Sequence, residues 1–228
     1  MTRLILFDID GTLVLTGGAG ARSMGFAVRD VFGLDPDGAA VAMAGRTDAW
    51  IVSQMAAHHG VAVDAEMLKR FHRAYIGHLE REIHHPGPRK GVLPGVQDVL
   101  DALAPREDLH VALLTGNFEH GARIKLEYFD LWQHFRSGAF GDSSHDRNSL
   151  LAVAMASAER AGGTPVRADE VVIVGDTPLD VAVAVAGGAR SLGVATGSYD
   201  TAALVASGAD AVLQDLSDVG AVLRGLGV

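Results

Sequence analysis

Cysteine is absent from this chain of 228 residues. That excludes disulfides, thiolate zinc sites and cysteine nucleophiles, and it fits a reducing compartment, so a cytoplasmic location is expected. Long apolar runs are missing too. None approaches the ~18 residues that a membrane-spanning helix needs, so no membrane partner is expected. The early apolar stretch is interrupted by Asp8 and Asp10 and does not read as a signal peptide. Basic residues are outnumbered: the formal charge is −9, which argues against general nucleic-acid binding. An anionic substrate must then be drawn in by local positive potential or by a metal. Lysine is scarce, with only Lys69, Lys90 and Lys125 present. The ten histidines form no i,i+3 or i,i+4 pair, which disfavours a helical histidine–metal site. His58-His59 and His84-His85 read instead as solvated helix or turn residues. No Gly-Lys-Ser/Thr occurs, so a P-loop is excluded. Gly18-Ala19-Gly20 lacks the third glycine and the preceding strand of a dinucleotide loop.

What is present is a globular chain with ample core: 48% of residues are hydrophobic and the mean hydropathy is +0.20. Its length suits one large domain, or a core with a smaller insert. Three apolar runs end on polar residues in the same way. Leu4–Phe7 leads into Asp8-Ile9-Asp10-Gly11-Thr12, Val111–Leu114 into Thr115-Gly116-Asn117, and Val171–Gly175 into Asp176-Thr177-Pro178. Continuous Val/Ile/Leu runs followed by helical patterns, here Glu119–Phe129 and Leu179–Ala186, are the mark of buried parallel strands. In open α/β sheets ligands bind outside the carboxyl ends of strands, so Asp8, Thr115 and Asp176 are expected to converge on one crevice. A turn ending a strand also uses Asp and Gly, which is the alternative reading of Asp8-Ile9-Asp10-Gly11.

Further helices are expected over Val96–Leu103, Ser149–Ala161 and Val219–Leu226. Short strands are expected at Ala139–Gly141, Ser191–Ala195 and Ala211–Leu213. From about Gly17 to about His85 the pattern changes to amphipathic helices, Arg22–Phe32, Asp48–His59 and Ala65–Ile83, with no convincing strand. Gly17-Gly18-Ala19-Gly20 and Pro86-Gly87-Pro88 flank this block, where hinges would lie. No internal repeat or low-complexity segment is present.

The three strand-end motifs, in this order, resemble those of the haloacid dehalogenase superfamily of phosphatases and phosphotransferases. The resemblance implies an α/β fold, a Rossmann-like parallel-sheet core over 1–16 and 86–228, with an inserted α-helical cap over 17–85. It further implies that Asp8 attacks phosphorus, that Asp10 protonates the leaving oxygen and then activates water, and that Gly11 and Thr12 of the same loop contact the substrate. Thr115, with Gly116 and Asn117, would hold phosphate oxygens at a helix start; capping of that helix by Asn117 is compatible with this. Mg²⁺ would be held by Asp8, Asp176 and the backbone carbonyl of Asp10. Asp180 is either part of that shell or the first-turn acid of a helix with Thr177 at the N-cap and Pro178 at N1.

The third family motif needs a cation, usually lysine. Arg147, before the helix that leads to the fourth motif, stands where that cation is expected and can grip phosphate through two hydrogen bonds. Its alternative is a surface arginine paired with Asp142 or Asp146. Lys125 is expected on the surface of its helix. In the insert, Ala44-Gly45-Arg46-Thr47-Asp48 resembles the family's substrate-contacting turn, with Arg46 and Thr47 reaching substrate; a plain N-cap with a solvated Arg46 is the alternative. The expected partner is a small phosphorylated metabolite, such as a phosphoglycolate, a sugar phosphate or a nucleotide. Nothing in the sequence speaks to the oligomeric state. A phosphomutase of the β-phosphoglucomutase type uses the same core, and a receiver-like phosphate-binding module uses similar strand-end acids. Receivers are about half this length, carry no cap and lack the Asp8/Asp10 pair. The presence of Asp10 also argues against a haloacid dehalogenase proper.

Overall fold

The structure is a computed structural model that describes residues 3–35, 41–142 and 144–228. Its centre is a six-stranded sheet in the order β5-β4-β1-β6-β7-β8, every pairing parallel. The strands are β1 (Leu4–Phe7), β4 (His110–Leu114), β5 (Gly138–Ala139), β6 (Val171–Gly175), β7 (Arg190–Val194) and β8 (Ala211–Leu213). The three apolar runs are adjacent at the middle, β1 lying between β4 and β6 with Phe7 level with Leu113 and Val174. All three are buried along their whole length. Covering helices on both faces produce that burial. Alternate side chains diverge: Ile5, Phe7, Leu113 and Val174 pack with α4 (Val96–Leu103), α5 (Glu119–Tyr128) and α9 (Val219–Leu226). Leu4, Leu6, Leu114 and Ile173 pack on the other face with α6 (Leu150–Arg160) and α7 (Pro178–Gly187). The remaining helix, α8 (Thr201–Ala206), starts at Asp200, whose side chain accepts from the Ala203 amide.

The helical block consists of α1 (Ala19–Phe32), α2 (Asp48–His58) and α3 (Ala65–Glu82), and no strand occurs among its described residues. Residues 36–40 of this block lie outside the described residues. Thr47 and Asp64 start α2 and α3 by accepting from the amides of Trp50 and Met67. The block has its own apolar cluster, built on Met24, Val28, Ile51, Val52, Phe71, Tyr75 and Leu79, and Phe118 at the start of α5 is its contact from the sheet side.

The chain enters and leaves the block side by side. β2 (Val14–Leu15) and β3 (Gly91–Val92) pair antiparallel, and a Cβ on Gly87 would stand 2.1 Å from the Gly17 carbonyl oxygen. The sequence pattern does not predict these two-residue strands, because each is held by a partner far away in sequence and shows no periodicity. Other boundaries shift by one to three residues. Ala19 and Gly20 belong to α1 rather than to a glycine hinge, and the helix expected from Ser149 starts at Leu150, after a 3₁₀ turn over Arg147–Ser149. β5 ends at Ala139, before Phe140 and Gly141, and β7 starts at Arg190 and ends at Val194.

Two glycines separate backbone freedom from space. Gly33 and Gly95 both hold left-handed conformations (φ +68° and +78°), but only Gly95 is crowded, with Leu216 backbone atoms 2.0 Å from where a Cβ would stand. Gly33→Ala should therefore cost about 1 kcal/mol, the left-handed penalty alone. Gly95→Ala should cost at least about 3 kcal/mol, because backbone displacement adds to it. Urea unfolding of the two variants checks this, and equal losses would contradict the packing at Leu216.

Candidate active site

Asp8 follows β1 directly, and its amide donates to the Val174 carbonyl across the sheet (2.9 Å). Thr115 follows β4 and Asp176 follows β6, so three neighbouring parallel strands deliver these side chains to one edge. The carboxylates of Asp8, Asp176 and Asp180 are buried and each offers an oxygen within 4.8 Å of the others. Gly11 and Gly197 make room for Asp176. A Cβ on either would meet its Oδ2, at 2.5 Å and 1.7 Å. Gly11 also takes φ +85° there, a conformation that costs glycine little. Thr12 Oγ1 donates to Asp176 Oδ1 at 3.3 Å.

One cation answers the three acids. The Arg147 guanidinium reaches Asp8 Oδ2 at 2.9 Å and also bonds Asp180 Oδ1. It is buried and does not pair with Asp142 or Asp146. Asp146 caps its 3₁₀ turn by accepting from Asn148 N, and Asp142 accepts from Glu119 N. The Arg147 Nε–H is buried with no partner among the described residues, a donor left for a ligand. Burial alone would lower the Arg147 pKa, but Asp180 and Asp8 outweigh it and hold the group charged. The acids are under-compensated. Burial, followed by the charges of Asp180 and Asp8, raises the Asp176 pKa. Asp180 is raised by burial against the pull of Arg147. Both Asp180 oxygens are engaged: Oδ1 by Arg147, Oδ2 by the Thr177 amide (3.0 Å) and hydroxyl (2.7 Å), in a capping box with Pro178 at the first helical position. A hard divalent cation fits this donor set. It is all carboxylate oxygen, it carries excess negative charge, and the Asp176 side chain stands in a glycine-lined space.

Asp10 lies beside this cluster in a second network. Asn117 Nδ2 donates to Asp10 Oδ2 (2.8 Å) and to Thr115 Oγ1 (2.8 Å), while Lys125 Nζ donates to Asp10 Oδ2 and Asn117 Oδ1, both at 2.6 Å. Lys125 is thus buried, not on the helix surface as its sequence context suggested. The inward face of α5 is Gly121, Ala122, Lys125 and Leu126, an i, i+1, i+4, i+5 stripe. That spacing is the signal the sequence carries for a buried Lys125.

The turn 44–48 of the helical block closes over the loop after β4. The Asp48 amide donates to the Gly116 carbonyl (2.7 Å), and its carboxylate accepts from the Phe118 amide (2.9 Å). A Cβ on Gly116 would stand 2.0 Å from the Arg46 carbonyl oxygen. Burial pushes the Asp48 carboxyl up to about 7, against the opposing charge of Lys125. Thr47 is the N-cap of α2 and also reaches the His145 carbonyl at 3.4 Å; Arg46 stacks on Trp50, 4.5 Å from its ring centre, and lines the cavity. That cavity, about 390 Å³, has Asp8, Asp10, Thr115, Arg147 and Asp176 at its floor and Met24, Met43, Ile51 and Tyr75 from the helical block above. Asp48 was not among the sequence candidates, although it stands in the turn they came from.

The profile of the haloacid dehalogenase-like hydrolases matches residues 5–184. A phosphoglycolate phosphatase from Rhodospirillum rubrum is 32% identical over 96% of this chain and 90% of its own length, and one from Chromobacterium violaceum is 25% identical over 95% and 94%. Among solved structures, a hydrolase from Pseudomonas syringae superposes with a TM-score of 0.72 at 23% identity, covering 98% of each chain, which speaks to the fold. The chain belongs to the haloacid dehalogenase-like hydrolases, and it is an enzyme of the phosphatase type. No described helix is long and apolar enough to cross a membrane.

The raised carboxyl pKa values carry a sign. A carboxyl whose folded pKa exceeds its unfolded value disfavours folding once ionised, so its neutral-form advantage is lost as pH rises above about 4. In the metal-free protein, Asp176→Asn should raise the melting temperature at pH 8 by about 2–4 °C or more and change it little at pH 4. Thermal unfolding in chelator at both pH values checks this; a variant less stable than wild type at pH 8 would contradict the charge excess.

Proposed function

We propose that this hydrolase is a Mg²⁺-dependent phosphatase acting on a small phosphorylated metabolite of the phosphoglycolate, sugar-phosphate or nucleotide class. The observation that carries the reading is the convergence of Asp8, Arg147 and Asp176 at one strand edge, with Asp10 beside them in the same cavity. In this reading Asp8 Oδ attacks phosphorus in line with the ester oxygen, the P–O ester bond breaks, and Asp10 gives its proton to the departing oxygen. Asp10, now a carboxylate, takes a proton from water; the water oxygen attacks the phosphoaspartate, and inorganic phosphate leaves with Asp8 regenerated. Thr115, the Gly116 and Asn117 loop, and the free Nε–H of Arg147 offer donors to the phosphoryl oxygens. Mg²⁺ would be held by Asp8, Asp176 and the Asp10 carbonyl, and when bound it offsets the charge of the phosphoryl group facing Asp8. Asp180, with both oxygens engaged, serves chiefly to hold Arg147.

The reading divides the chain into a core over 1–16 and 86–228 and a helical cap over 17–85, consistent with the separate apolar cluster of α1–α3 and with the paired connections at β2 and β3. The cap's Arg46 and the apolar wall above the acids would meet the non-phosphate end of the substrate. The lack of cysteine suits the cytoplasm.

Phosphate release from a panel of such metabolites tests this, with Mg²⁺ or with EDTA, for wild type and Asp8→Asn. Release should require the metal and fall by at least about 10³-fold in the variant. Near-native turnover by Asp8→Asn would refute the nucleophile. Isomerised sugar phosphate without free phosphate would make the enzyme a phosphomutase.

A further inference from the structure

Lys125 is the buried charge that the chemistry above does not use. The residue is 3% exposed, and an unpaired charge so placed would cost roughly several kcal/mol. Its partners identify its role. Nζ bonds Asp10 Oδ2 and Asn117 Oδ1, and the Asn117 amide returns a bond to the same Asp10 oxygen. The other two lysines differ: Lys69 is solvated beside Glu66, and Lys90 fastens the end of the helical block through the His85 carbonyl and Tyr128 hydroxyl. The seat of Lys125 has been cleared for it, since a Cβ on Gly20 of α1 would stand 3.3 Å from Nζ.

We propose that Lys125 is a positioning residue for proton transfer. Together with Asn117 it anchors Oδ2 of Asp10, leaving Oδ1, which bonds no described residue, as the oxygen that gives its proton to the leaving group. The inference rests on the role proposed for Asp10, and it assigns a second cation to the site beyond Arg147. The two cations divide the work. Arg147 holds the attacking carboxylate, and Lys125 aims the protonating one.

A leaving group that departs without a proton should not need that aim. The test compares kcat/KM, which reports events up to leaving-group departure, for an alkyl ester (2-phosphoglycolate) and an aryl ester (p-nitrophenyl phosphate). Lys125→Met should lower the alkyl value about 10²-fold, within the usual reach of positioned acid–base catalysis, and the aryl value no more than about 3-fold. Lys125→Arg should recover part of the alkyl loss. In an Asp10→Asn background Lys125→Met should add no further alkyl loss, because the group it aims is gone. Equal losses for both esters, or full additivity with Asp10→Asn, would make Lys125 merely structural and overturn the proposal, leaving the phosphatase reading intact. If wild type releases no phosphate from 2-phosphoglycolate, the best alkyl ester of the metabolite panel takes its place, and no release from any of them would instead overturn the phosphatase reading. If Lys125→Met fails to fold, Lys125→Leu, which likewise offers Asp10 no donor, takes its place in the same comparison with the same two outcomes.

Discussion

Three carboxylates and one guanidinium, all buried at the end of a parallel sheet, set the terms for the rest of this molecule. Arg147 pairs with Asp8 and Asp180 while Asp176 stands beside them, and one cation cannot balance three anions in a medium that solvates charge poorly. Such an arrangement disfavours the folded apoprotein whenever the acids ionise. The central strands beneath it are fully buried, and a ligand of opposite charge would relieve the excess. The strain and the binding capacity are the same property, viewed without and with the ligand.

Close backbone approaches hold this cluster in place. Gly11 and Gly197 flank Asp176, and Gly175 lies against the Asp180 carboxylate, where a Cβ would stand 2.2 Å from its carbon. Gly116 does the same for the helical block, whose turn 44–48 sits directly on the loop after β4 through Asp48. The floor of the cavity is therefore polar and crowded, and its roof is apolar. This polarity gradient would suit a ligand with one charged and one apolar end. The Lys125 network stands at the boundary between them, close to α1 and α3 yet bonded to Asp10.

The sheet's centre was legible because β1, β4 and β6 are covered on both faces, and burial on both faces writes a continuous apolar run. Helices Val96–Leu103 and Val219–Leu226 were legible from amphipathic spacing and coincide with α4 and α9. Strands β2 and β3 were not, since two residues carry no period and their pairing joins distant segments. α8 was missed because six small and apolar residues after Asp200 resemble a loop as much as a helix. At the site, strand-end placement was readable from the motifs. Which way Lys125 faced was not, because the partners that make its burial tolerable, Asp10 and Asn117, come from other elements.

Calorimetric titration of Mg²⁺ into the metal-free wild type and into Asp176→Asn tests the charge excess directly. One Mg²⁺ should bind per chain with release of protons from the raised carboxyls, and the variant should lose that binding. Equal binding by both proteins, or none by wild type even with inorganic phosphate present, would contradict the claim that the buried acids form a cation site.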